Sequence, residues 1–155
     1  LGDGFFPIES YQRLGGLWSI GSDSHIQLNP FEDLRWLEYG QRLQQRMRVR
    51  LCDSDGNNAG YLYNSALKGG ITATAGQFNG EFVEGQKLEG TLIDENHSNL
   101  VGKATEQILP SLIFSSGSDA VKDQFVNGLE ISEQNAKMLE QEYRSSIERL
   151  YRRIS

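Results

Sequence analysis

The residues best suited to chemistry lie in one short stretch near the start of the chain. An apolar run at residues 17–20 ends in Gly21, Ser22 and Asp23, which are followed by Ser24 and His25. Such a run is typical of a short buried strand, and it predicts that Asp23 lies at the C-terminal tip of that strand. In α/β barrels the catalytic groups lie at these tips. The spacing therefore makes Asp23 a candidate catalytic carboxylate.

A simpler interpretation of the same stretch stays open. Aspartate is frequent in turns, where its side chain accepts hydrogen bonds from nearby backbone N–H groups. Asp23 would then only cap the turn that follows the strand. Ser24 and His25 could line a pocket or could merely end the strand.

The other residues that often build sites are few and scattered. The chain has two histidines, His25 and His97, and one cysteine, Cys52. This chain alone therefore offers no histidine-rich metal cage, no cysteine-based zinc site and no internal disulfide. His97 lies in a polar turn, so we expect it at the surface. The sequence contains no phosphate-binding loop, dinucleotide fingerprint or nucleophile elbow.

Composition limits the classes of function further. The 155 residues are 37% hydrophobic and carry a net charge of −6. This length suffices for a domain with a core, and the negative charge disfavours nucleic acid or an anionic membrane surface as partner. No apolar run approaches the length of a membrane span. A lone cysteine suits a reducing compartment, so we expect a cytoplasmic protein.

The elements that must position Asp23 can be predicted from caps, periodicity and turn residues. The strongest start signal is Asn29-Pro30, which predicts a helix running to about Arg48. Its predicted core face carries Trp36, Gly40, Leu43 and Met47, with Leu37 beside them, whereas Arg35 and Gln41 are expected to be structural. The other predicted elements are helices at 9–14, 61–68, 104–114 and 132–154, strands at 17–21 and 91–94, and a hairpin at 121–131.

Three of these predictions depend on glycine or proline. Gly69-Gly70 is expected to end the helix at 61–68. Pro110 is expected to kink or split the helix at 104–114. Asn127-Gly128 is expected to form the tight turn of the hairpin. The last helix carries an apolar stripe made by Leu139, Tyr143, Ile147, Leu150 and Ile154.

Residues 21–25, Asn29-Pro30 and the run at 32–43 resemble the amidohydrolase superfamily and, more narrowly, the formimidoylglutamate deiminases of histidine degradation. The opening at 1–7 is similar to the loop that precedes the same strand in that family. The resemblance is specific over 17–43 and diffuse after about residue 78, where Glu89–Asp94 departs from the usual pattern.

The resemblance implies an α/β fold, namely a C-terminal fragment of a metal-dependent (β/α)8 barrel with part of the accompanying β-sandwich. Residues 1–77 would hold the last barrel strand and its flanking helices, 78–131 the sandwich portion, and 132–155 a terminal helix. In this family one divalent metal, expected to be zinc, is bound by a His-x-His pair, a further histidine and an Asp after the eighth strand. Asp23 matches that Asp, and the histidines have no counterpart here.

The activity that the resemblance implies is hydrolysis of N-formimino-L-glutamate to N-formyl-L-glutamate and ammonia by the full-length parent. Asp23 would be the catalytic residue and a metal ligand, taking a proton from water and passing it to the leaving nitrogen. Ser24 and His25 are candidates to contact the small-molecule substrate. We expect the isolated chain to be inactive, because it lacks the other metal ligands. We also expect self-association into a homo-oligomer, because barrel surfaces lose their partners.

Two other functions stay open. The chain could come from another amidohydrolase-type deaminase, acting on a purine, a pyrimidine or a triazine. It could instead be a non-catalytic module for binding or assembly, derived from a barrel, and the missing histidines favour this alternative. The string at residues 36–43 favours the formimidoylglutamate enzyme over other deaminases.

Overall fold

The computed structural model describes residues 4–23, 26–75, 80–131 and 133–154. The helices are α1 (Ile8–Arg13), α2 (Pro30–Gln45), α3 (Asn58–Ala73), α4 (Thr105–Phe114) and α5 (Glu133–Ile154), and the strands are β1 (Gly90–Ile93), β2 (Val121–Val126) and β3 (Leu129–Ile131). This mixed content fits the predicted α/β class. Within the described ranges, no helix has the length and apolar character needed to cross a membrane.

The chain divides into two compact units. The first comprises residues 1–81 and 94–120, and the second comprises residues 82–93 and 121–155. Helices α1 to α4 lie in the first unit, whereas the three strands and α5 lie in the second. The division of the chain at residues 77 and 131 stays a prediction.

Helix α2 begins where its cap signals predict. The side chain of Asn29 accepts hydrogen bonds from the backbone N–H groups of Phe31 and Glu32, at 3.1 and 3.3 Å. Pro30 occupies the first turn, where its missing N–H costs nothing. The helix ends at Gln45, and Arg46 closes it in the left-handed conformation at φ 54°.

The predicted core face of α2 is wrong except at Gly40, which is buried. Trp36, Leu43 and Met47 are 59%, 69% and 54% exposed, respectively. The buried face carries instead Phe31, Leu34, Glu38 and Gln41. Two of these buried residues are polar, and hydrogen bonds allow them to be there. A prediction from apolar residues alone therefore identified the exposed face of α2 as its core face.

The buried carboxylate of Glu38 accepts three hydrogen bonds within the first unit. Its Oε1 accepts hydrogen bonds from Arg42 Nε at 2.6 Å and from the backbone N–H of Arg50 at 2.9 Å. Its Oε2 accepts a third from the N–H of Leu51 at 2.9 Å. The carboxylate thereby fixes the segment between α2 and α3 onto α2. The guanidinium of Arg42 also lies 5.3 Å from the Tyr39 ring centroid and 5.5 Å from that of Phe114.

Helix α4 packs against both α2 and α3. It runs through Pro110 as one helix, so the predicted split does not occur. The guanidinium of Arg35 donates to the carbonyl of Ile113, and the side-chain amide of Gln41 donates to the carbonyl of Phe6 at 3.0 Å. Both residues are therefore structural, as predicted. Apolar side chains of the core include those of Ile8, Trp18, Leu34, Leu51, Leu62, Leu100, Leu112 and Ile113.

The second unit is built on an antiparallel sheet with the strand order β1-β2-β3. The predicted hairpin is confirmed: β2 and β3 pair across Asn127 and Gly128, whose φ angles are 57° and 81°. Positive φ at both positions is what a two-residue hairpin turn requires. The apolar stripe of α5 is largely exposed, and Glu140 and Arg144 form an ion pair at 3.2 Å.

Candidate functional site

The segment that leads to Asp23 lies in the first unit, before α2. From Leu17 to Asp23, exposed residues alternate with less exposed ones, and Trp18 is only 7% exposed. A period of two is the side-chain pattern of a strand. However, the segment pairs with no strand that the structure describes, because the sheet contains β1, β2 and β3 alone. The predicted strand is thus unpaired within the described residues.

Helix α3 provides the support for this segment. The prediction that Gly69-Gly70 ends a helix is wrong, because α3 runs from Asn58 to Ala73 through both glycines. At Gly69 the main chain of Trp18 lies so close that a Cβ would overlap its carbonyl group. At Gly70 a Cβ would meet only the Ser19 side chain, 3.0 Å from its Oγ. The glycine pair is therefore a contact surface for the segment.

The signal for this contact was present in the sequence. Leu62, Ala66 and Gly69 follow one another at four and three residues, the spacing of one helix face, and all three are buried. A glycine that continues such a face indicates close approach of another main chain. Because Gly69-Gly70 was interpreted as a helix end, the sequence analysis missed the contact at Gly69.

Asp23 is exposed, and its φ is 36°. Aspartate tolerates this left-handed conformation better than most residues, and it ends the alternating segment there. Among the described residues, none forms a hydrogen bond or an ion pair with the Asp23 carboxylate. Ser24 and His25 lie outside the described residues, as do the N–H groups with which an Asx-type turn would be made.

A divalent metal needs several oxygen, nitrogen or sulfur ligands at one place. In the described ranges, no group of three or more His, Cys, Asp or Glu side chains could hold a metal ion. Asp23 fits the role of one carboxylate ligand, but the described residues do not fit a complete site. The predicted ligation by Asp23 thus depends on groups beyond those that the structure describes.

A shallow cleft of about 380 Å³ lies elsewhere in the first unit. An ion pair of 2.8 Å between Arg50 and Glu9 spans part of its wall. Asp23 is not among its lining residues, which are Glu9, Gln12, Arg13, Arg50, Leu51, Cys52 and Tyr61. The cleft is therefore separate from the candidate site.

His97 is less exposed than predicted, with 17% of its side chain accessible. Its Nε2 lies 3.2 Å from Asp119 Oδ2, and its Nδ1 accepts a hydrogen bond from the Asn99 N–H at 3.3 Å. An accepting Nδ1 places the proton of the neutral ring on Nε2, which then donates to Asp119. These contacts make His97 a structural residue of the loop before α4.

Comparisons with known proteins show what the chain is similar to. The chain is 41% identical, over 129 residues, to the formimidoylglutamate deiminase of Pseudomonas aeruginosa. That match covers 83% of this chain and spans 28% of the length of the curated relative. No family model matches the chain.

A solved structure is also similar. The amidohydrolase from Brucella melitensis superposes with a TM-score of 0.73 at 29% sequence identity, covering 85% of this chain and 29% of the neighbour. The two matches confirm the resemblance to the amidohydrolase superfamily and to the C-terminal portion of formimidoylglutamate deiminase.

Proposed function

We propose that this chain is the C-terminal portion of a metal-dependent deiminase that hydrolyses N-formimino-L-glutamate to N-formyl-L-glutamate and ammonia. The observation that carries the proposal is the 41% identity to a formimidoylglutamate deiminase over 83% of the chain. The chain corresponds to less than a third of that relative, so the complete activity requires the rest of the barrel.

Within this proposal Asp23 is the residue of the chain that touches the reacting atoms. Its carboxylate is exposed at the end of a segment that α3 supports, so it is accessible and positioned. One oxygen is proposed to bind the metal, and the carboxylate accepts a proton from water and returns it to the leaving nitrogen. A divalent metal, when bound, supplies Lewis acidity that favours attack of water on an amidine carbon.

Ser24 and His25 directly follow Asp23 and are proposed to face the substrate. Both supply hydrogen-bonding groups suited to a polar small molecule. The histidine ligands of the metal and the cationic groups that bind a dicarboxylate would come from the remainder of the barrel. The proposed metal is zinc, the proposed location is the cytoplasm, and the proposed assembly is a homo-oligomer.

The test is Asp23→Asn in the full-length polypeptide. Asparagine keeps the size of the side chain but cannot take a proton, so we expect ammonia release to fall by about 10²–10⁴-fold, and further if metal is lost. Metal content is measured on the same samples. Asp55→Asn, in an exposed turn of the same unit, is the matched control and should keep its turnover. An Asp23→Asn enzyme with full metal and near-normal turnover would show that Asp23 is only a turn residue.

A non-catalytic binding module is the second candidate. The observation that favours it is the lack of a three-ligand metal group among the described residues. The full-length polypeptide separates the two functions, because a module would release no ammonia from N-formimino-L-glutamate at any metal concentration.

A further inference from the structure

We propose that Gly69 is a positioning residue for Asp23, because it lets the Trp18 main chain seat directly on α3. This inference rests on the proposed function of Asp23. It gives a role in the reaction to a helix residue that touches neither substrate nor metal.

The first argument is steric. Gly69 is buried in α3, and a Cβ there would overlap the carbonyl oxygen and carbon of Trp18 and lie 3.0 Å from its nitrogen. These are main-chain atoms, so no side-chain rotation can relieve the overlap. Either α3 or the segment at residues 17–23 must move when Gly69 gains a side chain.

The second argument concerns which partner moves. Helix α3 packs on α4, and Leu62 and Ala66 are buried on the face that also carries Gly69. Because this packing holds α3, a Cβ at Gly69 displaces the segment at residues 17–23 relative to the helix. Its displacement at Trp18 is carried to Asp23, a few peptide units further along the same segment.

The effect of such a displacement on a reaction is large. A misplacement of about 1 Å in a catalytic group can cost about 10²-fold in rate. Since Asp23 would act on bound substrate rather than bind it alone, we expect Gly69→Ala to lower kcat more than it raises KM. Metal content should fall in parallel, because the carboxylate no longer meets its partner ligands.

Adjacent Gly70 offers a matched control. Gly69→Ala and Gly70→Ala remove the same residue type from the same helix and raise helix propensity equally. At Gly70 the new Cβ would meet only the Ser19 side chain, 3.0 Å from its hydroxyl oxygen and 3.8 Å from its Cβ, and the hydroxyl can rotate away. We expect kcat to fall at least about tenfold in Gly69→Ala and to stay within about twofold in Gly70→Ala.

A second readout follows the segment itself in the 155-residue chain. Its two tryptophans are Trp18 and Trp36, and Trp36 is exposed, so Trp36→Phe leaves the buried Trp18 as reporter. In this background Gly69→Ala should shift the emission to longer wavelength and increase quenching by acrylamide. Gly70→Ala should change neither property.

A disulfide tests the same contact between the segment at residues 17–23 and α3 without a steric clash. It therefore tests the proposal even if Gly69→Ala does not fold. A Cβ at Gly70 would lie 3.8 Å from the Cβ of Ser19, within the range of disulfides. Ser19→Cys with Gly70→Cys should therefore crosslink on oxidation, with Cys52→Ser removing the one cysteine of these 155 residues. The oxidised full-length enzyme should keep its metal and turnover, because the crosslink holds the segment where it already lies.

The outcomes separate the two proposals. Equal kcat and metal content in Gly69→Ala and Gly70→Ala would overturn the positioning role. So would a crosslinked enzyme that loses turnover and regains it on reduction, because the working position would then differ from the one described. Asp23→Asn, measured alongside, reports on the proposed function alone: if it retains turnover, that function fails whatever Gly69 does.

Discussion

Glu38→Gln is the substitution for which the structure allows the most detailed prediction. The Glu38 carboxylate is fully buried and accepts three hydrogen bonds, from Arg42 Nε and from the N–H groups of Arg50 and Leu51. Glutamine has the same shape, but one of its two oxygens is replaced by an NH2 group. That group can only donate, so at least one of the three donors loses its acceptor.

The magnitude follows from these contacts. A hydrogen bond to a charged group contributes about 1.5–3 kcal/mol, and a buried donor left without an acceptor costs about 1–3 kcal/mol. The bonds that survive become bonds to a neutral acceptor and weaken. The guanidinium of Arg42 retains access to water, since its side chain is 30% exposed, and this limits the loss. We therefore expect Glu38→Gln to lower the free energy of unfolding by about 2–4 kcal/mol.

Urea unfolding followed by tryptophan fluorescence measures this loss. Glu140→Gln is the control, because Glu140 and Arg144 form an i,i+4 pair with side chains 66% and 71% exposed. It should cost less than about 0.5 kcal/mol. Amide exchange should also accelerate at Arg50 and Leu51 in Glu38→Gln alone. Equal losses in the two variants, with exchange unchanged, would refute the argument that Glu38 holds the segment after α2.

Two further predictions concern the α2 cap and the metal. Asn29→Ala should destabilise the chain by about 1–2 kcal/mol in urea unfolding, because Asn29 caps α2 and also accepts a hydrogen bond from Ser118 Oγ at 3.0 Å. Asn57→Ala removes a single cap bond to Gly60 and should cost less. A larger loss in Asn57→Ala than in Asn29→Ala would contradict the reasoning. Metal analysis of the isolated 155-residue chain after dialysis should find no stoichiometric zinc, because one carboxylate does not hold the ion, and one tightly bound zinc per chain would disprove this.

Local signals in the sequence predicted local structure well. Asn29-Pro30 located the start of α2, and Asn127-Gly128 located the turn between β2 and β3. Each signal works through the backbone of its own neighbourhood, by a cap bond or a positive φ. Such effects do not depend on what the rest of the chain does.

Predictions that needed a distant partner were less successful. The inward face of α2 is decided by Glu38 and Gln41, whose acceptors and donors come from other segments. Gly69-Gly70 would suit a helix end equally well, and the spacing of Leu62, Ala66 and Gly69 was the sequence sign that the helix continues where Trp18 approaches it. At the candidate site, the sequence predicted that Asp23 is a candidate residue and that it follows a strand-like segment. The groups that would complete a metal site are not among the described residues, so no pattern here could place them.

The glycine pair in α3 also bears on the order of folding events. Each glycine lowers helix propensity by about 1 kcal/mol relative to alanine, so the second half of α3 has little tendency to form by itself. The first turn of α2 is favoured locally by its Asn29 cap and by Pro30. The second half of α3 must instead await a contact with Trp18, which is remote in sequence, and loop closure makes such contacts slow to form. We therefore expect the final turns of α3 to form late in folding, once the Trp18 main chain packs against Gly69.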